Sequence, residues 1–397
     1  MKQFMRCFFV FIACFSPVFS QNSSHINIEC LQEIETLINI AIQNNELPGA
    51  VVLVSHQDRI VYHQAFGNRC VYPAIEPMTT DTIFDLSSLT KLFTATAVVK
   101  LAELGLIKIH APVATYIPEF GKNGKTKITI KQLLTHSSCL ISDNPHKDYD
   151  NGYEKAFENI YNLAPEKRPG SSFMYSSVGY LILGELVQRV SGKSLAAFLY
   201  EYIFKPLTMT DTMFMPPQEL HARIAPTAQR YGVWIRGEVH DYRSHAIGGI
   251  TGHAGLFSTT LDLAKFCSAF LNQGHAFLCE SDATLKDPAR SENILEPLSI
   301  ESMLSPCKIA SDTRGLGWDI DTRYSTLRGD FFREGAYGHS GFTGTSILLH
   351  QPSKTVLIIL SNRVHTNKNG NIIPLRAKIA NVVAHALMKN TNLSDEI

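Results

Sequence analysis

The sequence carries no net charge: 36 lysines and arginines stand against 36 aspartates and glutamates over 397 residues. A chain built to hold nucleic acid or an anionic membrane needs a basic excess, so those partner classes are disfavoured from the outset. It lacks any apolar run long enough to span a bilayer as a stable anchor. It has no internal repeat and no low-complexity tract. Histidine and cysteine fall at no zinc-binding spacing and H-E-x-x-H is absent, so the reading expects neither a metal nor a cofactor. What is present is apolar material. Hydrophobic residues make up 45% of the chain, enough for one large core or two smaller ones.

The first twenty residues have the pattern of an export signal. Lys2 and Arg6 form a basic start, Phe8 to Phe15 a short apolar stretch, and Val18 and Ser20 suit cleavage before Gln21. This predicts a mature chain of residues 21–397 in the periplasm or outside the cell. Lipid anchoring through Cys14 fits poorly, because the residues before it do not suit it and the basic start would be very short. Cleavage removes Cys7 and Cys14 and leaves Cys30, Cys70, Cys139, Cys267, Cys279 and Cys307. In an oxidising compartment some of these can pair, Cys267 and Cys279 being nearest in sequence; buried free thiols are the equal alternative.

Leu31, Ile34, Leu37, Ile38, Ala41 and Ile42 repeat at helical spacing, and Pro48-Gly49 ends that element. Two β-rich runs flank a polar turn at His56-Gln57-Asp58 and read as a hairpin. From about 105 to 245 the pattern is helical with long connections, with helices expected near 130–136, 153–163, 177–191 and 195–203. A glycine-rich stretch at 248–259 leads into a helix over 261–272. Residues 273–312 are hard to read and are expected to form a surface excursion. The tail returns to strands: Thr355 to Ser361 is almost wholly apolar, as for a strand buried on both faces, and an amphipathic helix closes the chain at 372–389. The expected architecture is α/β (α+β). An antiparallel sheet is formed by both chain ends, about 29–104 and 246–390, and flanked by helices, with an all-α insertion at about 105–245.

One short motif carries chemistry. In Asp85-Leu86-Ser87-Ser88-Leu89-Thr90-Lys91, Ser88 and Lys91 share a helix face one turn apart. A serine hydroxyl needs a neighbour to accept its proton, and a lysine one turn on can do this or tune another base. Unpaired N–H groups at the helix start favour a developing oxyanion. Leu92, Ala95, Thr96, Val99 and Ala102 continue the helix, and Gly105 sits where a C-cap belongs. A second S-x-x-K, Ser305 to Lys308, has no helix after it.

Two further motifs follow in order: Tyr175-Ser176-Ser177 at a helix start, and His339-Ser340-Gly341 on a strand. The set, together with Leu133-Leu134-Thr135-His136-Ser137-Ser138, Phe204-Lys205-Pro206-Leu207 and Gly255-Leu256-Phe257-Ser258, resembles the serine β-lactamase and penicillin-binding-protein family. It is nearest the class C β-lactamase and D-Ala-D-Ala carboxypeptidase branch. Val239-His240-Asp241, Gly252-His253-Ala254-Gly255 and Ser361-Asn362-Arg363 further resemble the subgroup of cell-wall carboxypeptidases and muropeptide amidases. Tyr149-Asp150-Asn151 is a rival Y-x-N, set aside because it lies in a polar loop without a helix entry.

The resemblance implies an acyl-enzyme mechanism. Ser88 is then the nucleophile, Lys91 its charged neighbour and Tyr175 the proton-transfer partner. The backbone N–H groups of Ser88 and Phe342 form the oxyanion hole, and Ser177, His339, Ser340 and Gly341 face the substrate. His339 stands where many members have lysine and is expected to supply part of a second positive charge. Ser177 stands where asparagine is frequent, and Cys139 where glycine is usual. Gly341 and Gly344 are read as leaving room for a substrate backbone. His240, Asp241, His253 and Arg363 are secondary cleft candidates, Arg363 as a carboxylate binder. The expected activity is hydrolysis of cell-wall peptide amide bonds. A carboxylesterase or class C-like β-lactamase is the enzymatic alternative, and a non-catalytic binding or scaffold protein the other. Substrate identity and oligomeric state stay open.

Overall fold

A computed structural model describes residues 26–276, 292–365 and 370–388. The expected signal at 1–20 and Cys279 lie outside the described residues. The framework is a nine-stranded antiparallel sheet drawn from both chain ends. In spatial order its strands are Glu76–Pro77, Arg59–Cys70, Gly49–His56, Thr355–Ser361, Ser346–His350, Ala336–Ser340, Asp319–Asp321, Asp312–Arg314 and Cys307–Ile309. The strands Gly49–His56 and Thr355–Ser361, from the chain's two ends, pair side by side, Ala50 opposite Ser361 and Leu53 opposite Ile358.

Alternation of side chains divides two cores between the faces of these strands. Val51, Leu53, Ile347, Val356, Ile358 and Leu360 enter the larger one. Ala50, Val52, Val54, Leu348, Leu357 and Ile359 enter the other, packed by the helices Glu33–Gln43 and Ile373–Met388. Burial on both faces is why 355–361 reads as one apolar run.

Within the larger core lie the helices Thr90–Glu103 and Ser177–Ser191. The second runs over the expected residues. Ser176 caps its start by accepting from the Gly179 N–H at 3.1 Å, and Gly192 ends it at φ 70°. Gly105, at φ 72°, follows the first helix as expected. Most of 105–245 is helix and loop, with short strands at Met213–Phe214, Gln229–Arg230 and Val233–Trp234. Met213–Phe214 joins Leu256–Ser258 and Phe84–Asp85 in a small sheet that ties the glycine-rich stretch to the approach to Ser88.

Residues 273–312 differ from expectation. Their described part holds a helix, Pro297–Leu304, and the edge strand Cys307–Ile309 of the main sheet, and Asp312 opens the strand beside it. Strands of three residues are too short to show an alternating pattern.

One contact fixes the glycine-rich loop against the helix Ser177–Ser191. A Cβ at Gly252 would stand 2.1 Å from the Tyr180 carbonyl and 2.8 Å from the Gly184 nitrogen. The Gly252 carbonyl in turn accepts from Thr94 Oγ1 at 2.8 Å. Gly252→Ala should therefore destabilise the protein by about 1–3 kcal/mol through overpacking, read as a lowered midpoint in thermal or denaturant unfolding.

Candidate active site

Phe84–Asp85 runs directly into a 3-10 turn, Ser87–Leu89, and then into the helix Thr90–Glu103. The turn is held from several sides. The buried Asp85 carboxylate accepts from the N–H groups of Ser87 (2.7 Å) and His240 (2.6 Å). Burial lifts its pKa to about 6, and those two donors oppose the rise. Thr343 Oγ1 donates to the Asp85 carbonyl at 2.7 Å and Thr345 Oγ1 to that of Leu86 at 3.0 Å. Ser87 takes a left-handed conformation, φ 48°, which a non-glycine residue adopts only under local constraint. Ser88 is thereby presented, half-buried, at the foot of a cavity.

Lys91 is fully buried. Its Nζ donates to Ser88 Oγ at 3.1 Å and to the His253 carbonyl at 3.0 Å. Asp241, the N-cap of a helix at Tyr242–Ala246, meets His253 Nε2 at 3.0 Å, and His253 Nδ1 lies 2.9 Å from Thr251 Oγ1. Burial alone would raise the Asp241 carboxyl, but the His253 charge and hydrogen bond outweigh it and hold the pKa low. Asp241 and His253 thus fix the carbonyl that Lys91 uses, and neither lines the cavity.

Tyr175 enters from the loop before the helix Ser177–Ser191. Its ring centre is 5.1 Å from Lys91 Nζ and stacks on the His136 ring at 4.4 Å. From the opposite wall the strand Ala336–Ser340 brings His339, with ring centres 6.3 Å apart. Gly341 follows. A Cβ there would stand 2.4 Å from the Leu86 carbonyl and 2.2 Å from Thr345 Oγ1, so its smallness serves the packing of the strand end on the Ser87 turn. The Phe342 N–H points at Ser87 Oγ, 3.2 Å away. Its ring is 56% exposed at the mouth, beside the His240 ring and the Arg363 guanidinium.

The cavity encloses about 470 Å³. Ser88, Tyr175, His339, Ser340, Gly341, Phe342 and Arg363 line it together. Ser177 does not; its N–H donates to the Ser142 carbonyl at 2.8 Å. His240 stands behind Phe342, its ring Nδ1 buried without a hydrogen-bond partner. The rival Tyr149 is wholly buried and bonds Asn144. Cys139 sits at φ 58°, the left-handed conformation that makes glycine usual at such a place. Among the described residues Cys30, Cys70, Cys139, Cys267 and Cys307 are free thiols.

The charge of the site differs from expectation. His339 is buried, and burial first, then the charges of Arg314 and Lys91, push its pKa well below the usual histidine range. It is a neutral ring. The cations of the cavity wall are instead Arg314, Arg323, Arg363 and Arg376, none but Arg363 singled out in the sequence. Arg314 pairs with Asp319 at 3.2 Å. Arg376 is buried and donates to the Thr345 carbonyl at 2.8 Å, while its Nε has no partner. Burial and the nearby Arg363 charge lower its pKa to about 9.

Three comparisons agree with this geometry. A family model described as Beta-lactamase matches residues 34–381. A "Putative D-alanyl-D-alanine carboxypeptidase" of Escherichia coli (strain K12) is 29% identical, with 88% of this chain and 87% of that one covered. The "N-acetylmuramyl-L-alanine amidase" of Bacillus subtilis (strain 168) is 27% identical over 88% and 84%. Among solved structures, a class C beta-lactamase superposes with a TM-score of 0.72 at 19% identity, covering 90% of this chain and 96% of its own. EstCE1, a hydrolase with promiscuous acyltransferase activity, gives 0.71 at 19% over 90% and 99%. The family match spans nearly all of the described chain, and this protein belongs to the Beta-lactamase family of serine hydrolases.

Proposed function

We propose that this hydrolase cleaves an amide bond of cell-wall peptides that end in a free carboxylate, through an acyl-enzyme on Ser88. Ser88 Oγ attacks the carbonyl carbon while its proton passes to the Tyr175 oxygen, acting as a phenolate. That proton then goes to the departing amine as the C–N bond breaks, and water repeats the sequence to release the acid. Cationic surroundings favour a phenolate over a phenol, and the Lys91 ammonium, 5.1 Å from the Tyr175 ring centre, supplies them. The oxyanion forms at the helix start, between the N–H groups of Ser88 and Phe342. An incoming carbonyl oxygen has to take over or share the Phe342 N–H that Ser87 Oγ now holds.

The observation that carries the substrate class is Arg376. A buried guanidinium facing the same cavity as Ser88, with no carboxylate of its own among the described ion pairs, calls for an anion. A terminal carboxylate on the leaving residue supplies it. The names of the two relatives support a peptide of the cell wall. An extracytoplasmic location belongs to the same proposal. Residues 1–20 read as an export signal, and among the described residues no helix is long and apolar enough to cross a membrane. The neutral His339 favours a second reading, hydrolysis of uncharged esters.

Intact-protein mass spectrometry after incubation with a labelled penicillin should show one adduct, mapped to Ser88 and absent in Ser88→Ala. Full hydrolytic activity in Ser88→Ala would refute the mechanism. A D-Ala-D-Ala peptide should turn over faster than its C-terminally amidated form, and Arg376→Gln should reduce kcat/KM for the free acid by about 30-fold or more while leaving the amidated peptide nearly unchanged. Equal losses on both peptides, with a short-chain aryl ester as the better substrate, would favour the esterase.

A further inference from the structure

His136 stands where its backbone does not favour it. The helix Ile130–Leu134 ends in a reversing turn, with the Ser137 N–H on the Gln132 carbonyl at 2.8 Å and the His136 N–H on that of Leu133 at 3.2 Å. His136 is the left-handed residue of this turn, at φ 55°. Glycine takes that conformation freely; asparagine and histidine do so more readily than most side chains, which give up roughly 1–2 kcal/mol. What the ring does there is shown by its contacts.

The ring and backbone of His136 grip the segment around Tyr175 at three points. The His136 carbonyl accepts from the Met174 N–H at 2.8 Å. Its Nδ1 accepts from the Ser176 N–H at 3.0 Å. Between these two bonds its ring stacks on Tyr175, at 4.4 Å and 29°. The Tyr180 ring lies 4.9 Å away, and both tyrosine rings are within 6 Å of Lys91 Nζ (5.1 and 5.8 Å). An Nδ1 that accepts from an amide must be unprotonated, which puts the ring proton on Nε2. Complete burial, with the charges of Arg314 and Lys91 nearby, keeps the ring neutral and so keeps that acceptor available.

We propose that His136 is a positioning residue for proton transfer: its Nδ1 and ring face set the angle and height of Tyr175 over Lys91, so that the phenol oxygen meets Ser88. The inference rests on Tyr175 as the proton-transfer partner. Misplacing a reacting group by about 1 Å can lower a rate about 100-fold without altering substrate binding. The effect of losing His136 should therefore fall on kcat rather than on KM.

The full chain is assayed with an aryl ester and a D-Ala-D-Ala peptide, by steady state and by single-turnover acylation. His136→Gly suits the backbone and removes the ring. His136→Asn suits the backbone and returns an acceptor oxygen near the place of Nδ1. His136→Leu keeps the bulk without the acceptor and stands in for glycine should that variant not fold. The expected result is a loss of about 100-fold in acylation for Gly and Leu with KM within about twofold, and recovery to within about tenfold of wild type for Asn. Equal rates for Asn and Leu, a loss confined to KM, or wild-type acylation in His136→Gly would overturn the proposal. Tyr175→Phe separates the two layers. If it acylates at the wild-type rate, the Tyr175 reading itself fails, whatever the His136 variants do.

Discussion

The site is organised by one ammonium group in the protein interior. An unpaired cation out of water is costly enough that it must be met by fixed dipoles, and Lys91 is met by a hydroxyl and a carbonyl, at Ser88 and His253. The hydroxyl belongs to its own helix and follows from sequence spacing. The carbonyl comes from a loop 162 residues away and has to be delivered. Its delivery explains features that look unrelated in the sequence. Glycine at 252 lets the loop lie against the backbone of Tyr180 and Gly184. The Asp241–His253 pair holds the histidine that presents the carbonyl. The short strand Leu256–Ser258 returns the chain beside Phe84–Asp85, one turn before Ser88.

The second constraint is the closure of the sheet end onto the Ser87 turn. Gly341 has no space for a Cβ because Leu86 and Thr345 occupy it, and the threonines at 343 and 345 bond the carbonyls of Asp85 and Leu86. Strand and helix start are therefore one rigid unit across the cleft. Ser88 N–H and Phe342 N–H belong to its two sides, so the relative placement of these two donors is decided by packing and not by loop motion. A pair of donors fixed in this way is what the proposed oxyanion hole requires.

Much of this was legible from local pattern. Ser88 and Lys91 are tied by helical spacing, Tyr175 by its place before a capped helix, and the central strands by apolar runs. The buried sheet and both long core helices follow from the same signals. What escaped has a common cause. Arg314 comes to the cavity through pairing of edge strands too short for periodicity, and Arg376 on the closing helix through a long-range approach to Thr345. Neither relation has a local spacing to detect. His136 was in view within Thr135-His136-Ser137-Ser138, but its role depends on a left-handed turn that single-residue patterns do not reveal. Of the secondary candidates, Arg363 lines the cavity, whereas Asp241 and His253 hold backbone for Lys91 and His240 backs Phe342.

The distribution of charge then separates two tasks that one strand cation would combine. On the strand, His339 is driven neutral by burial and by Arg314 and Lys91. A third charge packed among those two would raise the free energy of the empty site, since like charges in a poorly solvated wall repel with little screening. Lys91 is left as the cation beside Tyr175 and Ser88. Arg376 and Arg363 also line the cavity, and burial first, then the Arg363 charge, lowers the Arg376 pKa to about 9. On the proposed reading, a substrate carboxylate placed beside these two guanidinium groups would offset both the burial and the mutual repulsion of their charges.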